Sequence, residues 1–553
     1  MNVGCPSTLT RRQFLARSAA AAGLAAGAGA AAGAGATSGL AGLLKPLAVT
    51  AAPARVAARP LVFVVRTETL TLDPHQNDFI YSQNAQRPVY EPLVDYVPDG
   101  KGGARIAPVL ATEWRASPDA RVYTFRLRPN VRFSDGTPFD ADAARWNFER
   151  LKAVNKGPAA RLPAIDRVDV LDRLTVRVTL KTPFAPFIEA LAKAPYMISP
   201  ATQVRAQAGD LAQRWLNDNA VGTGPYLLES WVRGQQVTFV RNPTYWRGWQ
   251  GPHAERIVVR LVRESATQRL MLETGEADLA DGIVITDADA LKKHPAVAIE
   301  EHDTPAQIHI MMRMRGPFTD PRFRQAMRAV FGYSSFVGGV LLNKGRIPNG
   351  PIARGIWAHD PSLPQFRRDL TRAKQLIQEV GPAQKTFVLQ TISPFFPYYP
   401  QLAQIFQQNL AEVGLSLTID DKPDAAGFLG ALTTLDRGPD MYGWAINPAY
   451  DDPHDILFRT YHSTATPPTA QNFTFYRNPQ VDELIDRGVA VPDRERRRPH
   501  YTQVQRLLRD DGPAIFCAQF FQIFGRSKKL HGFEWHPFLF NLPPDFYALW
   551  VEA

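Results

Sequence analysis

Few of the residues able to do chemistry in this chain stand in a pattern that would make them react. A serine hydrolase places its nucleophile on a G-x-S-x-G turn, and a zinc peptidase carries H-E-x-x-H on a helix. An iron–sulfur or structural zinc site needs clustered cysteines. None of these patterns occurs. The eleven histidines are dispersed: His294, His302 and His309 run through a strand-rich stretch, and His454 and His462 flank a helical pattern. No tight ligand set results, so neither a metal nor another cofactor is expected. Gly222-Thr223-Gly224 lacks the Gly-Lys-Ser/Thr of a phosphate loop. Aspartates and glutamates are abundant, but no pair is marked as an acid–base dyad. What remains is the chemistry of holding a ligand. The aromatic run Ser393-Pro394-Phe395-Phe396-Pro397-Tyr398-Tyr399 precedes a helical pattern. Rings and a helix N-terminus suit an amphipathic or anionic ligand, with hydrophobic packing as the plainer reading. Asp451 and Asp452 precede His454-Asp455-Ile456-Leu457, where an acid can cap a helix.

The elements that must position these residues fall into two halves. Leu61 to Val65 reads as a strand entering the turn Thr71-Leu72-Asp73-Pro74. Val122 to Leu127, two strands within Val168 to Leu180, Val237 to Val240 and Ile257 to Leu261 continue a β-rich first half. Asp140 can cap a helix whose face is Ala144, Phe148 and Leu151. The second half alternates. Helical patterns at Pro321 to Val330, Thr371 to Val380 and Tyr399 to Val413 are interleaved with strands at Phe387 to Leu389 and Leu415 to Ile419. Two more helical faces follow, Val481, Leu484, Ile485 and Gly488, then Tyr501, Val504 and Leu508. This order suggests parallel-sheet units.

The 553 residues exceed one ordinary domain, and 45% hydrophobic with 21% charged residues is normal for a soluble globular protein. The N-terminus differs. Arg11-Arg12-Gln13-Phe14-Leu15 leads into an Ala/Gly stretch from Ala19 to Ala36. This resembles a twin-arginine export signal, with Ala34-Gly35-Ala36 as one cleavage site and later ones up to about Ala58. Gly dilutes the stretch too far for a spanning helix, which wants about 20 strongly apolar residues. Five basic residues and no acid lie in 1–58, so the formal charge of +10 falls to +5 beyond them. That modest excess asks for neither nucleic acid nor membrane as partner. Cys517 is left as a single buried thiol.

Several segments, in order, resemble the extracellular solute-binding proteins of peptide- and nickel-type ABC importers (family 5, the dipeptide/oligopeptide-binding type). They are Val89-Tyr90-Glu91-Pro92-Leu93, Leu110-Ala111-Thr112-Glu113-Trp114, Tyr123-Thr124-Phe125-Arg126-Leu127-Arg128, and Val131 to Phe139 around Ser134-Asp135-Gly136-Thr137-Pro138. Gly222-Thr223-Gly224-Pro225-Tyr226, Arg241-Asn242-Pro243-Thr244-Tyr245-Trp246 and Tyr476-Arg477-Asn478-Pro479-Gln480-Val481-Asp482 complete the set. Gly136 and Gly224 are expected where turns need unusual backbone angles.

The resemblance implies an α/β chain with the two-lobed type II periplasmic-binding-protein fold and an extra inserted domain (cluster C). It implies a discontinuous lobe I over 60–103, 222–312 and 524–553, an inserted β-rich domain over 104–221, and lobe II over 313–523, after the signal and linker at 1–58. A small solute, peptide-like by resemblance, would be captured between the lobes by a monomer and delivered to ABC permease subunits in the membrane. In dipeptide- and oligopeptide-binding members, an acid after a Gly-Trp pair holds the ligand's amino group. Counted from Trp444 that position is Asn447, which cannot neutralise an ammonium, while Asp451 could substitute and Asp452 reads as a cap. Asn77, Phe79, Tyr81 and Gln83 lie in the loop that faces the cleft in this family. With Tyr398, Trp444, Asn447 and Asp451 they form the expected ligand-binding set. The alternatives are a Tat-dependent exported enzyme, or a sensor that uses the same fold without transport.

Overall fold

The computed structural model describes residues 59–77, 80–193, 195–394, 396–467, 471–538 and 545–552. The export signal expected within 1–58 lies outside these residues, as does Phe79. Among the described residues no helix is long and apolar enough to cross a membrane.

One sheet of eleven strands organises the chain. In sequence order they are β1 (Leu61–Val65), β2 (Tyr226–Val232), β3 (Gln236–Arg241), β4 (Arg256–Leu261), β5 (Leu279–Ala280), β6 (Val297–Met312), β7 (Gly345–Arg346), β8 (Thr386–Thr391), β9 (Ser416–Asp421), β10 (Met441–Ile446) and β11 (Ala514–Ser527). Across the sheet the order is β9-β8-β10-β6-β11-β5-β1-β4-β3-β2, with β7 added beside β11. β1 has all five residues buried and runs parallel to both neighbours, β4 and β5. That is why Leu-Val-Phe-Val-Val reads as an unbroken apolar run rather than an alternating one.

Two long strands run through the middle of the sheet. β6 has 16 residues and β11 has 14, and they pair antiparallel. The first part of β6 matches the end of β11 (Val297 opposite Ser527), and the last part matches its start (Met311 opposite Ala514). The ladder is irregular between Asp303 and Gln307. There side chains take over from main-chain pairs. Gln519 Nε2 donates to the Thr304 carbonyl at 2.7 Å and to Asp303 Oδ1 at 3.2 Å, and Thr304 Oγ1 donates to the Phe520 carbonyl at 2.7 Å. Pro305 cannot donate to a ladder, which fits an interruption at this point.

A separate four-stranded antiparallel sheet, built from Ala111–Ala116, Val122–Leu127, Ile165–Asp172 and Thr175–Leu180, carries the helix Ala141–Val154. Asp140 caps that helix, accepting from the Ala143 N–H. The helix Leu370–Val380 stops at Gly381, whose φ of 58° is left-handed.

Gly136 has the expected positive φ of 83°, but Gly224 is not left-handed. Its requirement is space: a Cβ there would lie 2.7 Å from the Val89 carbonyl oxygen, and one on Gly222 would lie 2.2 Å away. Close approach of two backbones, rather than an unusual turn angle, excludes a side chain.

Candidate functional site

Strand direction places the site. β1, β4 and β5 are parallel on one side of the β6–β11 pair; β8, β9 and β10 are parallel on the other. β5 pairs with β11 from Arg526 to Gly525, so its carboxyl end points toward the middle of β11. β10 ends at Ile446 opposite Gln307, just beyond the irregular part of β6. The carboxyl ends of both parallel sets therefore converge on the irregular stretch of the β6–β11 ladder. Open α/β sheets bind ligands outside the carboxyl ends of their strands.

At that edge Arg66 follows β1, Asp281 follows β5 and Asn447 follows β10, while Tyr398 precedes the helix Tyr399–Ala411 that comes after β8. The Arg66 N–H donates to Asp281 Oδ1 at 3.1 Å, and Arg66 Nε lies 3.8 Å from the same oxygen. Tyr81, buried on the helix Ile80–Gln86, hydrogen-bonds to the Arg66 side chain. Tyr398 lies within electrostatic reach of the same guanidinium. Tyr81 and Tyr398 are thus brought together around Arg66. Neither Arg66 nor Asp281 was among the residues expected from sequence. The signal that could have found them is a charged residue directly after a buried parallel strand.

Burial pushes the Asp281 carboxyl up to about 6, against the pull of Arg66. A folded pKa above the unfolded one means the buried charge costs stability as pH rises from about 4 through 6. The rise from 3.8 to about 6 corresponds to roughly 3 kcal/mol. Asp281→Asn is therefore expected to gain stability relative to the wild type by up to that amount between pH 4 and pH 7. Urea midpoints at both pH values check this; a difference independent of pH would contradict it.

The other expected residues lie as follows. Asn77 is half-buried against the turn at Gly157, where a Cβ would lie 2.8 Å from the Asn77 Cα. Gln83 is buried on the same short helix as Tyr81. Trp444 is half-buried in β10 and stacks on Phe428 with ring centroids 5.7 Å apart. The Asn447 carbonyl accepts from Arg459 at 2.6 Å, but its side-chain Oδ1 is buried without a hydrogen-bond partner. Buried polar atoms are normally satisfied, so this oxygen is an open acceptor.

Asp451 and Asp452 separate. Asp451 is held by Arg494 at 3.2 Å, and its N–H donates to the Tyr96 hydroxyl at 2.9 Å. Arg494 also reaches Glu189 at 3.0 Å. Burial raises the Asp451 carboxyl while Arg494 opposes the rise. Asp452 caps the helix Pro453–Tyr461 through the His454 N–H and pairs with Arg497 at 2.7 Å. Among the described residues no group of three or more His, Cys, Asp or Glu could hold a metal ion.

Residues 105–468 match the model of the bacterial extracellular solute-binding proteins, family 5. This chain belongs to that family. The solute-binding protein is 32% identical over 513 residues to a probable D,D-dipeptide-binding periplasmic protein, DdpA, of Escherichia coli K12, covering 90% of this chain and 96% of the relative. It is 28% identical over 499 residues to the glutathione-binding protein GsiB of Pectobacterium atrosepticum, covering 86% and 92%. Its fold matches that of the ABC transporter-associated periplasmic binding protein DppA from Helicobacter pylori, solved with the peptide STSA, at a TM-score of 0.79 and 23% identity over 90% of this chain and 98% of the other. The protein is a periplasmic receptor of an ABC importer with the two-lobed fold of its family. Family membership assigns it to transport and sets aside the exported-enzyme alternative.

Proposed function

We propose that this receptor captures a short peptide or peptide-like solute at the crossing of its lobes and presents it to the permease as a monomer. The observation that carries the reading is the convergence of both sets of strand carboxyl ends on one edge, where Asn447 keeps an unpartnered acceptor. The names of the relatives, which refer to D,D-dipeptides and glutathione, favour the same solute class. Asn447 Oδ1 would accept from a solute N–H without neutralising a charge. Tyr81, Gln83, Tyr398 and Trp444 would supply walls, with Asn77 and Phe79 on the entry loop. Asp451 would act through Arg494, tying 313–523 to Glu189 of the inserted domain and to Tyr96. In this reading lobe I is 60–103, 222–312 and 524–553, the inserted domain 104–221 and lobe II 313–523. Arg11-Arg12 would direct export by the twin-arginine route.

Thermal unfolding across a solute panel tests the proposal. A ligand present at a hundred times its Kd adds about 2.7 kcal/mol to the folded state. Dipeptides, glutathione and oligopeptides are expected to shift the transition, and sugars and nickel chelates are not. A shift confined to sugars or to nickel chelates would overturn the peptide reading.

A further inference from the structure

We propose that Arg494 is a closure latch that holds 104–221 against 313–523 in the shut form of the receptor, with Glu189 and Asp451 as its two anchors. The proposal rests on the domain reading above and adds what keeps the shut form shut. In that reading the chain does not pass directly between 104–221 and 313–523, so these parts meet through non-covalent contacts alone. The Ala185 N–H donates to the Val489 carbonyl at 2.9 Å, Phe184 sets its ring edge-on to His454 with centroids 5.1 Å apart, and Arg161 lies 3.8 Å from Asp455. Arg494 spans the same front. It reaches Glu189, on the helix Phe187–Leu191, at 3.0 Å and Asp451 at 3.2 Å. The Asp451 N–H in turn donates to the Tyr96 hydroxyl at 2.9 Å, which brings 60–103 to the same point.

Two features mark Arg494 as serving this contact rather than its own helix. It is the first residue of the helix Arg494–Asp510, the end at which the helix dipole disfavours a cation. Its two acids come from opposite sides of the front, and burial raises both carboxyls while Arg494 opposes the rise. Without the arginine, Glu189 and Asp451 are left as like charges with no counter-ion between them. Closure of a two-lobed receptor is a balance between populations, and an attraction made only in the shut form moves that balance toward it. The Arg494 side chain is 40% exposed and its partners 20% and 18%, so salt can screen the contact.

The test places spin labels on either side of the front, at Lys181→Cys and Arg487→Cys, in a Cys5→Ser chain. Both positions are exposed and adjoin Thr182 and Asp486, which line one cavity. Cys517 is fully buried and stays unlabelled. Pulsed dipolar spectroscopy then reads the label distances with no solute present, a short one for the shut form and a long one for the open form. Arg494→Met is expected to raise the open-to-shut ratio about 5- to 30-fold. Glu189→Arg combined with Arg494→Glu should return most of that shift, because attraction across the front is restored with the charges exchanged. Rising salt should open the wild type and should not open Arg494→Met further. A merely structural role would lower the unfolding midpoint of Arg494→Met and leave the distances of the folded protein unchanged. Unchanged distances in Arg494→Met, or a charge exchange that opens the protein further, overturn the latch. A wild-type ratio independent of salt overturns it too, and that series decides the matter even if Arg494→Met does not fold. No solute enters the measurement, so failure of the latch leaves the peptide reading standing, and failure of the solute panel leaves the latch standing.

Discussion

Arg497→Met is expected to destabilise the protein by about 3–5 kcal/mol, as when one member of a buried ion pair is removed. Arg497 and Asp452 side chains are 2% and 0% exposed and lie 2.7 Å apart. Arg497 also donates to the Gly488 carbonyl at 2.6 Å and to the Tyr501 hydroxyl at 2.9 Å. One pair thus joins the helices Pro453–Tyr461, Pro479–Ala490 and Arg494–Asp510. Asp452 Oδ2 accepts from Trp357 Nε1 at 3.2 Å, and that ring faces the Arg497 guanidinium at 5.0 Å. Without the arginine, the buried Asp452 loses its counter-ion. The double variant with Asp452→Asn should recover much of the loss, because an amide still caps the helix and needs no counter-ion. Chemical unfolding of the single and double variants measures both effects. A single variant within about 1 kcal/mol of the wild type would show that the pair is not the joint described.

Arg150→Met should cost a similar amount, about 3–5 kcal/mol at pH 7, by the same mechanism. Arg150 holds Asp73 with two hydrogen bonds of 3.0 and 2.7 Å and donates to the Leu211 carbonyl at 3.0 Å. Both side chains are almost wholly buried, at 1% and 0% exposure. The pair ties the turn after β1 to the helix Ala141–Val154. Burial pushes the Asp73 carboxyl up, but Arg150 outweighs it and holds the group below its usual value. Its charge therefore contributes stability above the unfolded pKa, and that stability is lost as pH falls through the lowered folded pKa. In the variant the orphaned carboxyl is relieved by protonation. The cost of Arg150→Met should accordingly shrink from pH 7 toward pH 4. In the wild type nearby His75 stays neutral throughout that range, since burial first and then Arg150 hold it down at about 3. Unfolding midpoints at the two pH values check the trend; a cost that grows toward acid would refute it.

Local signals were strong enough to be read directly. Asp140 and Gly381 delimit helices because capping satisfies main-chain groups at fixed offsets from the cap itself. The unbroken apolar run of β1 marks a strand buried on both faces. Val481, Leu484, Ile485 and Gly488 share a buried face because helical periodicity is local. The family was also readable, through short turn and strand motifs kept in order along the chain.

The functional edge was another matter. Asp451 and Asp452 are adjacent and chemically identical, yet one bridges to Arg494 and the other caps a helix over Arg497. Those arginines are some 40 residues further on, and only packing brings each to its acid. Arg66 and Asp281, 215 residues apart, meet because β1 and β5 lie side by side and parallel. Gly224 reads as a turn glycine, and only the approach of Val89 shows that space is what it supplies. The amino-acid sequence by itself determined the elements, their ends and the family, because periodicity, capping and turn chemistry act over a few residues. Which charges are consumed by the fold and which are left for a solute was decided by tertiary structure, because pairing and desolvation depend on distances that strand order sets.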